Sequence, residues 1–478
     1  MNKKLRIVDY IDENQQKFIE ISDKIWDNPE TRFELKKSAD ILTEALEKEG
    51  FAVERNIAEM KDAFIATYGS GNPIIGFLGE YDALSNLSQV ADELERKSLI
   101  EGQSGHGCGH HALGAGTLAA AAAIKEYMIS NNLKGTIKYF GCPAEESGSG
   151  KAFMARAGVF NGLDSIITWH PWTDNKIWDT STLANFQVYF NFKGISAHAA
   201  AAPHLGRSAL DAAEIMNIGV NYLREHIIDE ARVHYAYMDA GGVSPNVVQP
   251  SSSLLYFIRA PKTSQVKEIY DRIVKIANGA ALMTETELEI KWDSACSEFI
   301  LNDVLGRVMY GNMELVGEID YTEDELEYAK SYVDTLDLVS KSNYERTIRN
   351  YFKELPEEEV EKIVNRPMIE KLLPYKLTDK VLPGSTDVGD ASFNAPTVQL
   401  TAASFPAGTV PHSWQWVATG KSSLAHKGLI YAAKVMAMTA LDLLESPETI
   451  EEAKKEFNTR LGGESYKNYI PMDVKPVQ

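Results

Sequence analysis

Pro73-Ile74-Ile75-Gly76-Phe77-Leu78-Gly79-Glu80-Tyr81-Asp82 is an apolar run that stops abruptly on acidic residues. A strand buried on both faces reads this way, and its last residues fall where the chain leaves the sheet. The arrangement recurs twice: Thr136 to Gly141 leads into Pro143-Ala144-Glu145-Glu146, and Ser165 to Trp169 leads into His170-Pro171. Between the first two strands lies an Ala-rich helix, Leu113 to Met128. Strands alternating with helices define an α/β class, and in such sheets ligands collect beyond the carboxyl ends of the strands.

Working outward, apolar spacing predicts amphipathic helices over residues 7–25 and 37–49, with short β segments beginning at Phe51 and Ala63. From about 185 to 297 the rhythm changes. Strand Phe186 to Phe192, helix Ser208 to Arg224, strands Val233 to Met238 and Ser253 to Arg259, helix Gln265 to Ala281 and strand Thr286 to Trp292 form a split βαβ, ferredoxin-like order. Such a unit is compact enough to be an inserted α+β lid. The expected organisation is therefore a catalytic domain with a mixed sheet flanked by helices, built from 1–184 and 298–478, interrupted by a lid at 185–297. The second part reads as a charged helical stretch at 322–372, a Gly-rich loop Pro383 to Gly389, a strand Thr397 to Thr401 and a long helix Ser422 to Leu444.

At 478 residues the chain exceeds one ordinary core. Its formal charge of −20, spread widely, argues against nucleic acid as a partner. No apolar run approaches the roughly 18 residues that a membrane helix needs, and the start lacks an uninterrupted apolar signal segment. Three cysteines, Cys108, Cys142 and Cys296, imply no disulfide framework, so a reducing cytoplasm is expected.

The chemistry concentrates in Gly105-His106-Gly107-Cys108-Gly109-His110-His111. A thiolate and an imidazole two residues apart on a glycine-rich loop can reach one metal cluster. An isolated Cys or His is ordinarily a packed or surface group, but three histidines around one cysteine weaken that reading. Glu145 and Glu146 present adjacent carboxylates that diverge, so that one can bind metal while the other faces a water. His170 arrives at another strand end, and His412 in Pro411-His412-Ser413-Trp414 follows the strand at 397–401, with His426 as its rival. Cysteine, imidazole and carboxylate together suit zinc, manganese or cobalt better than calcium or magnesium, and two ions could share this many donors.

The chain resembles the metal-dependent aminoacylase and carboxypeptidase family of amidohydrolases, in its branch acting on p-aminobenzoyl-glutamate, over nearly its whole length. The resemblance rests on Gly105 to His110, Pro143 to Glu146, Trp169-His170-Pro171, Gly194-Ile195-Ser196-Ala197-His198-Ala199-Ala200 and Gly384-Ser385-Thr386-Asp387-Val388-Gly389-Asp390. It implies that Cys108, His110, Glu146, His170 and His412 hold two divalent ions, zinc or manganese. Glu145 would be the general base, taking a proton from the attacking water and returning it to the leaving nitrogen. It further implies that His198, on the lid, polarises the substrate carbonyl, often from a partner subunit. Asn246 and Arg259 resemble positions that hold a substrate carboxylate, for which Arg is the natural bidentate donor. Asp82 matches an aspartate that orients a ligand histidine. His111 stands where many relatives carry Asp or Asn.

The implied activity is hydrolysis of the amide in an N-acyl or N-aroyl amino acid, p-aminobenzoyl-glutamate above all, by a homodimer or a hetero-oligomer with a related subunit joined through the lid. An aminoacylase or dipeptidase acting on other N-acyl amino acids is the neighbouring alternative. A cysteine nucleophile with a histidine base would leave Glu145, Glu146, His170 and His412 without roles. A non-catalytic scaffold protein would have no need of Glu145 together with all five donors.

Overall fold

The computed structural model describes residues 3–476. Its strands are β1 (Ala52–Arg55), β2 (Phe64–Ser70), β3 (Ile74–Glu80), β4 (Gly135–Cys142), β5 (Ser165–Trp172), β6 (Lys176–Ile177), β7 (Ser181–Thr182), β8 (Ala184–Lys193), β9 (Arg232–Asp239), β10 (Ser251–Ala260), β11 (Glu287–Cys296), β12 (Val381–Leu382) and β13 (Thr397–Ala403). Seven of them form a mixed sheet in the order β1-β2-β4-β3-β5-β13-β6. The four central strands are mutually parallel, and the outer pairs β1/β2, β2/β4 and β13/β6 are antiparallel. All four parallel strands therefore release their carboxyl ends along one edge.

Side-chain alternation sends each central strand into two cores. Phe77 and Tyr139 pack with the helices Lys3–Trp26, His110–Asn131 and Ser423–Glu445 on one face, whereas Leu78 and Phe140 join Phe153 and Phe160 on the other. The helix His110–Asn131 is buried almost all round because its run of alanines lets neighbours approach closely. The second core continues without a break into Phe186, Val188 and Phe190 of β8.

β8 to β11 make a four-stranded antiparallel sheet in the order β11-β8-β10-β9, with helices Ala209–Leu223 and Thr263–Thr284 packed on it. Burial alternates strictly along β10, as a sheet with one covered face requires. β9 is the open edge, and all but one of its residues are exposed. The strand–helix–strand–strand–helix–strand order read from the sequence is the order along the chain, and it folds into the spatial strand order β11-β8-β10-β9 of a ferredoxin-like sheet.

Three local details differ from the sequence reading. The helix expected from Leu113 begins at His110, because Gly109 takes a left-handed φ of 81° that turns the chain straight into the first helical turn. A Cβ there would meet the Pro171 ring at 3.0 Å and the Phe405 ring at 3.1 Å. β5 runs on to Trp172, so His170 lies inside a strand, opposite Thr401, and not beyond its end. The loop at 383–389 passes into a short helix, Val388–Ser392. Among the described residues no helix is long and apolar enough to cross a membrane.

Candidate active site

Glu80 closes β3, and Asp82 follows it by two residues. Glu145 and Glu146 follow β4 after a turn in which Ala144 adopts φ 60°, a conformation that costs a non-glycine residue about 1–2 kcal/mol. His412 sits at φ 63° on the loop after β13, and its backbone N–H donates to the Gly107 carbonyl at 2.8 Å. That bond ties the last donor in sequence to the loop carrying the first. Strained backbone at both places is what a site imposes when side-chain position matters more than local comfort.

Cys108, Glu145, Glu146, His170 and His412 line one cavity of about 250 Å³, and His110 is wholly buried beside it with a ring nitrogen within 4.8 Å of donor atoms of Cys108 and His170. Cys108 Sγ lies 3.5 Å from His170 Nε2. Glu146 spans the group, with Oε1 4.0 Å from His110 Nε2 and Oε2 3.4 Å from His412 Nε2. Three sets of donors have all their atoms within 4.8 Å of one another: Glu80, His110 and Glu145 form one, and Cys108, His110 and His170 and then Cys108, Glu146 and His412 form the other two. Cys108 is common to the last two.

The residues fit divalent metal ions on three independent grounds. First, His110 Nε2 and Glu146 Oε1 are buried and make no hydrogen bond among the described residues, and the atoms nearest that nitrogen include a carboxylate oxygen, Glu80 Oε2 at 3.2 Å. Leaving a buried polar atom unpaired costs about 1–3 kcal/mol, which a coordinated cation removes. Second, Asp82 Oδ1 lies 2.8 Å from His110 Nδ1, and its Oδ2 accepts the Glu146 backbone N–H at 2.9 Å. A carboxylate on Nδ1 sets the tautomer and frees Nε2 for metal. Third, carboxylates crowd together at the cavity. Burial, then Glu80, Glu146 and Asp387, hold the Glu145 carboxyl well above its usual range. Burial pushes Glu146 up to about 7 against the pull of His110, and it pushes His170 down to about 4, keeping that imidazole neutral. Cys108 is raised well above an ordinary thiol, by burial first and Glu146 next.

Glu80 is the participant that sequence reading passed over. Its Oε2 is 3.2 Å from His110 Nε2, and its Oε1 is 2.7 Å from the ammonium of Lys151. Lys151 is wholly buried and reaches Asp387 Oδ1 at 2.6 Å. The acidic stop that ended the first strand was the signal, two residues before the aspartate singled out there.

Other candidates fall elsewhere. His106 and His111 bind the carbonyls of Ile25 and Gly420 through Nε2, and their rings face each other with centroids 5.1 Å apart. His426 pairs with Asp23. His198 and Asn246 are exposed on neighbouring lid loops, joined by the Ala199 N–H donating to the Asn246 carbonyl at 3.0 Å, and neither lines the cavity. Arg259 is half-buried over the Phe257 ring at 3.9 Å, and its guanidinium donates to Pro383 O, next to Gly384 of the cavity wall.

A parallel-stranded α/β sheet with a ferredoxin-like insertion and a Cys/His/Glu donor cluster at its carboxyl edge defines a metallo-amidohydrolase acting on amide bonds. The chain belongs to peptidase family M20/M25/M40, whose profile matches residues 76–405. It is 45% identical over 470 residues to the B-type subunit of the p-aminobenzoyl-glutamate hydrolase of Escherichia coli strain K12, covering 98% of each chain. The Xaa-Arg dipeptidase of Mus musculus is 27% identical across 97% of this chain and 94% of its own. The crystal structure of an aminobenzoyl-glutamate utilization protein from Klebsiella pneumoniae shares the fold, with a TM-score of 0.58 at 15% identity over 91% of this chain and 97% of that one.

Proposed function

We propose that this chain hydrolyses the amide bond of an N-aroyl amino acid, p-aminobenzoyl-glutamate first among them. In this reading Cys108, His110, Glu146, His170 and His412 hold two divalent ions, zinc or manganese, and Glu145 moves the proton. The observation that carries it is the clustering of these six side chains at one cavity, five on its wall and His110 buried beside them, with Glu146 Oε1 making no hydrogen bond among the described residues. The 45% identity to a protein named for that substrate supports the choice of amide.

When bound by these residues, the ions would supply Lewis-acid activation of a water and positive charge for the developing oxyanion. Glu145 accepts a proton from the attacking water and hands it to the leaving nitrogen. Asp82 keeps the His110 ring from rotating. His198 accepts the backbone N–H groups of Ala200 and Ala201 at its Nδ1, at 3.3 and 3.2 Å, which places the ring proton of the neutral form on Nε2. An Nε2–H donor suits a substrate carbonyl, and Arg259 with Asn246 suits a carboxylate. Because His198 is exposed and lies off the cavity wall, it meets substrate by lid closure or from a second chain.

The open edge of β9 offers Tyr235, Tyr237 and Met238, beside Ile218 and Tyr222 of the adjacent helix, as exposed apolar surface. An exposed strand edge of that composition invites pairing. A homodimer would bury it, and so would a pairing with a related chain, which accords with the Escherichia coli relative being named as one subunit of its hydrolase. A cytoplasmic location accords with three buried, unpaired cysteines.

The test is metal analysis with hydrolysis of a panel of N-acyl amino acids and dipeptides. Chelation should abolish turnover, and zinc or manganese should restore it. Full activity in metal-stripped protein would sink the mechanism, and a preference for dipeptides would move the chain to the dipeptidase reading. His198→Ala should lower kcat about 10²–10³-fold, as loss of an oxyanion donor does, with metal content unchanged. Unaltered kinetics would return His198 to an ordinary surface turn.

A further inference from the structure

The proposed function leaves open which half of the substrate enters the cavity and what selects it. Beyond the metal donors the cavity is walled by Trp172, Trp178, Leu382, Val388 and Pro411. The two indoles stand edge to face with centroids 6.4 Å apart at 82°, an arrangement that aromatic rings favour and that a third ring can extend. Among the described residues no lysine or arginine lines this space, while Glu80, Glu145 and Glu146 do. The side chain of glutamate therefore finds no basic side chain on this wall to pair with its carboxylate. Arg259 stands behind it, held against Pro383.

Volume points the same way. At about 250 Å³ the cavity falls short of the ~300–1,000 Å³ of sites that enclose a whole drug-sized ligand. One half of an aroyl amino acid fills it, and the other half remains at the mouth.

The wall also carries unmet hydrogen-bonding groups. The indole Nε1 of Trp178, Oγ1 of Thr182 and Oγ of Ser385 belong to lining residues, and each is buried without a partner among the described residues. A short parallel pairing, Ser181 with Val381 and Thr182 with Leu382, clasps the two segments that bear them. An apolar slot needs no such groups. A slot for a ring with a polar substituent does, since a site built to bond a substrate N–H or O–H rejects analogues lacking it far more strongly than an apolar pocket rejects a missing methylene.

We infer that this tryptophan-walled slot is the aroyl subsite, that it binds an aromatic ring bearing a hydrogen-bonding substituent through Trp172, Trp178, Thr182 and Ser385, and that it orients the substrate with its amino-acid half outward toward Arg259. The inference rests on the amide-hydrolase reading for its kinetic consequences, and it has a binding consequence that does not.

Two measurements separate the possibilities. The first compares kcat/KM of metal-loaded enzyme for p-aminobenzoyl-glutamate, benzoyl-glutamate and acetyl-glutamate. The expected order is the one given, with at least a tenfold step at each change. Trp178→Phe, which keeps a ring and removes the N–H, and the double variant Thr182→Val with Ser385→Ala should each shrink the p-aminobenzoyl-to-benzoyl step, lowering kcat/KM for p-aminobenzoyl-glutamate more than for benzoyl-glutamate. Equal use of acetyl-glutamate by the wild-type chain, or an unaltered step in both variants, overturns the subsite. The second titrates 4-aminobenzamide, with acetamide as control, following tryptophan fluorescence. Saturable binding of the aromatic amide alone, weakened at least tenfold in Trp178→Ala with an unchanged circular dichroism spectrum, supports the slot even if no amide is hydrolysed. Absence of saturable binding overturns it even if amides are hydrolysed without aryl preference.

Discussion

Glu145→Gln should retain the metal content of the wild-type protein and lose about 10²–10⁴-fold in kcat, the contribution usual for a positioned acid–base group. The substitution keeps side-chain volume and removes the only function assigned to this residue, since an amide cannot accept the proton of an attacking water at neutral pH. Glu146 provides the internal control. It lies between His110 and His412, so Glu146→Gln should first lower metal affinity, with activity recovered in part at raised metal concentration. Elemental analysis of both variants alongside single-turnover hydrolysis makes the comparison. If Glu145→Gln loses its metal while Glu146→Gln keeps it, the two roles are interchanged. If both remain fully active, the acid–base assignment is wrong.

Much of this site is legible in sequence because each of its parts terminates a strong local pattern. β3 is an unbroken apolar run up to Glu80 and β4 is apolar but for Thr136 and Lys138, and a strand buried on both faces places most of its polar residues where it leaves the sheet. The lid is equally readable: alternation in β8 and β10 and the periodicity of the helix Thr263–Thr284 each declare their class. Legibility fails where the cause is tertiary. His170 continues its strand because β13 supplies ladder partners as far as Ala403, and no local residue announces that. The helix Pro447–Leu461 escapes the periodicity reading, although its proline in the first turn is a start signal. The Lys151 ammonium gives no sign of its burial either. It follows Gly148-Ser149-Gly150, where an exposed lysine would be expected, yet two carboxylates from distant segments enclose it.

That enclosed lysine leads to the largest stability effect expected in the chain. Its ammonium lies between Glu80 Oε1 and Asp387 Oδ1, its backbone N–H also donates to Asp387 at 2.8 Å, and all three side chains are shut off from solvent. Burial alone would raise Glu80, but Lys151 first, then His110 and His170, bring it below the ordinary carboxylate range. Removing one member of a buried charge group strands the others, at a cost of about 3–5 kcal/mol, whereas replacing the whole group with neutral partners is often harmless. Lys151→Met should therefore lower the urea midpoint by an amount equivalent to about 3–5 kcal/mol. The triple variant Lys151→Met, Glu80→Gln, Asp387→Asn should recover most of that loss, a non-additivity expected only of groups that interact directly. The two proteins should part company in function. Asp387 follows Ser385 and Thr386 of the cavity wall, and Glu80 abuts His110, so the lysine pins the cavity-wall loop to the proposed ligand His110. The triple variant, stable but without that clamp, should show a raised KM and weakened metal retention. A Lys151→Met protein as stable as wild type would mean that water already reaches the ammonium. A triple variant with wild-type KM and metal content would confine the trio to holding the fold.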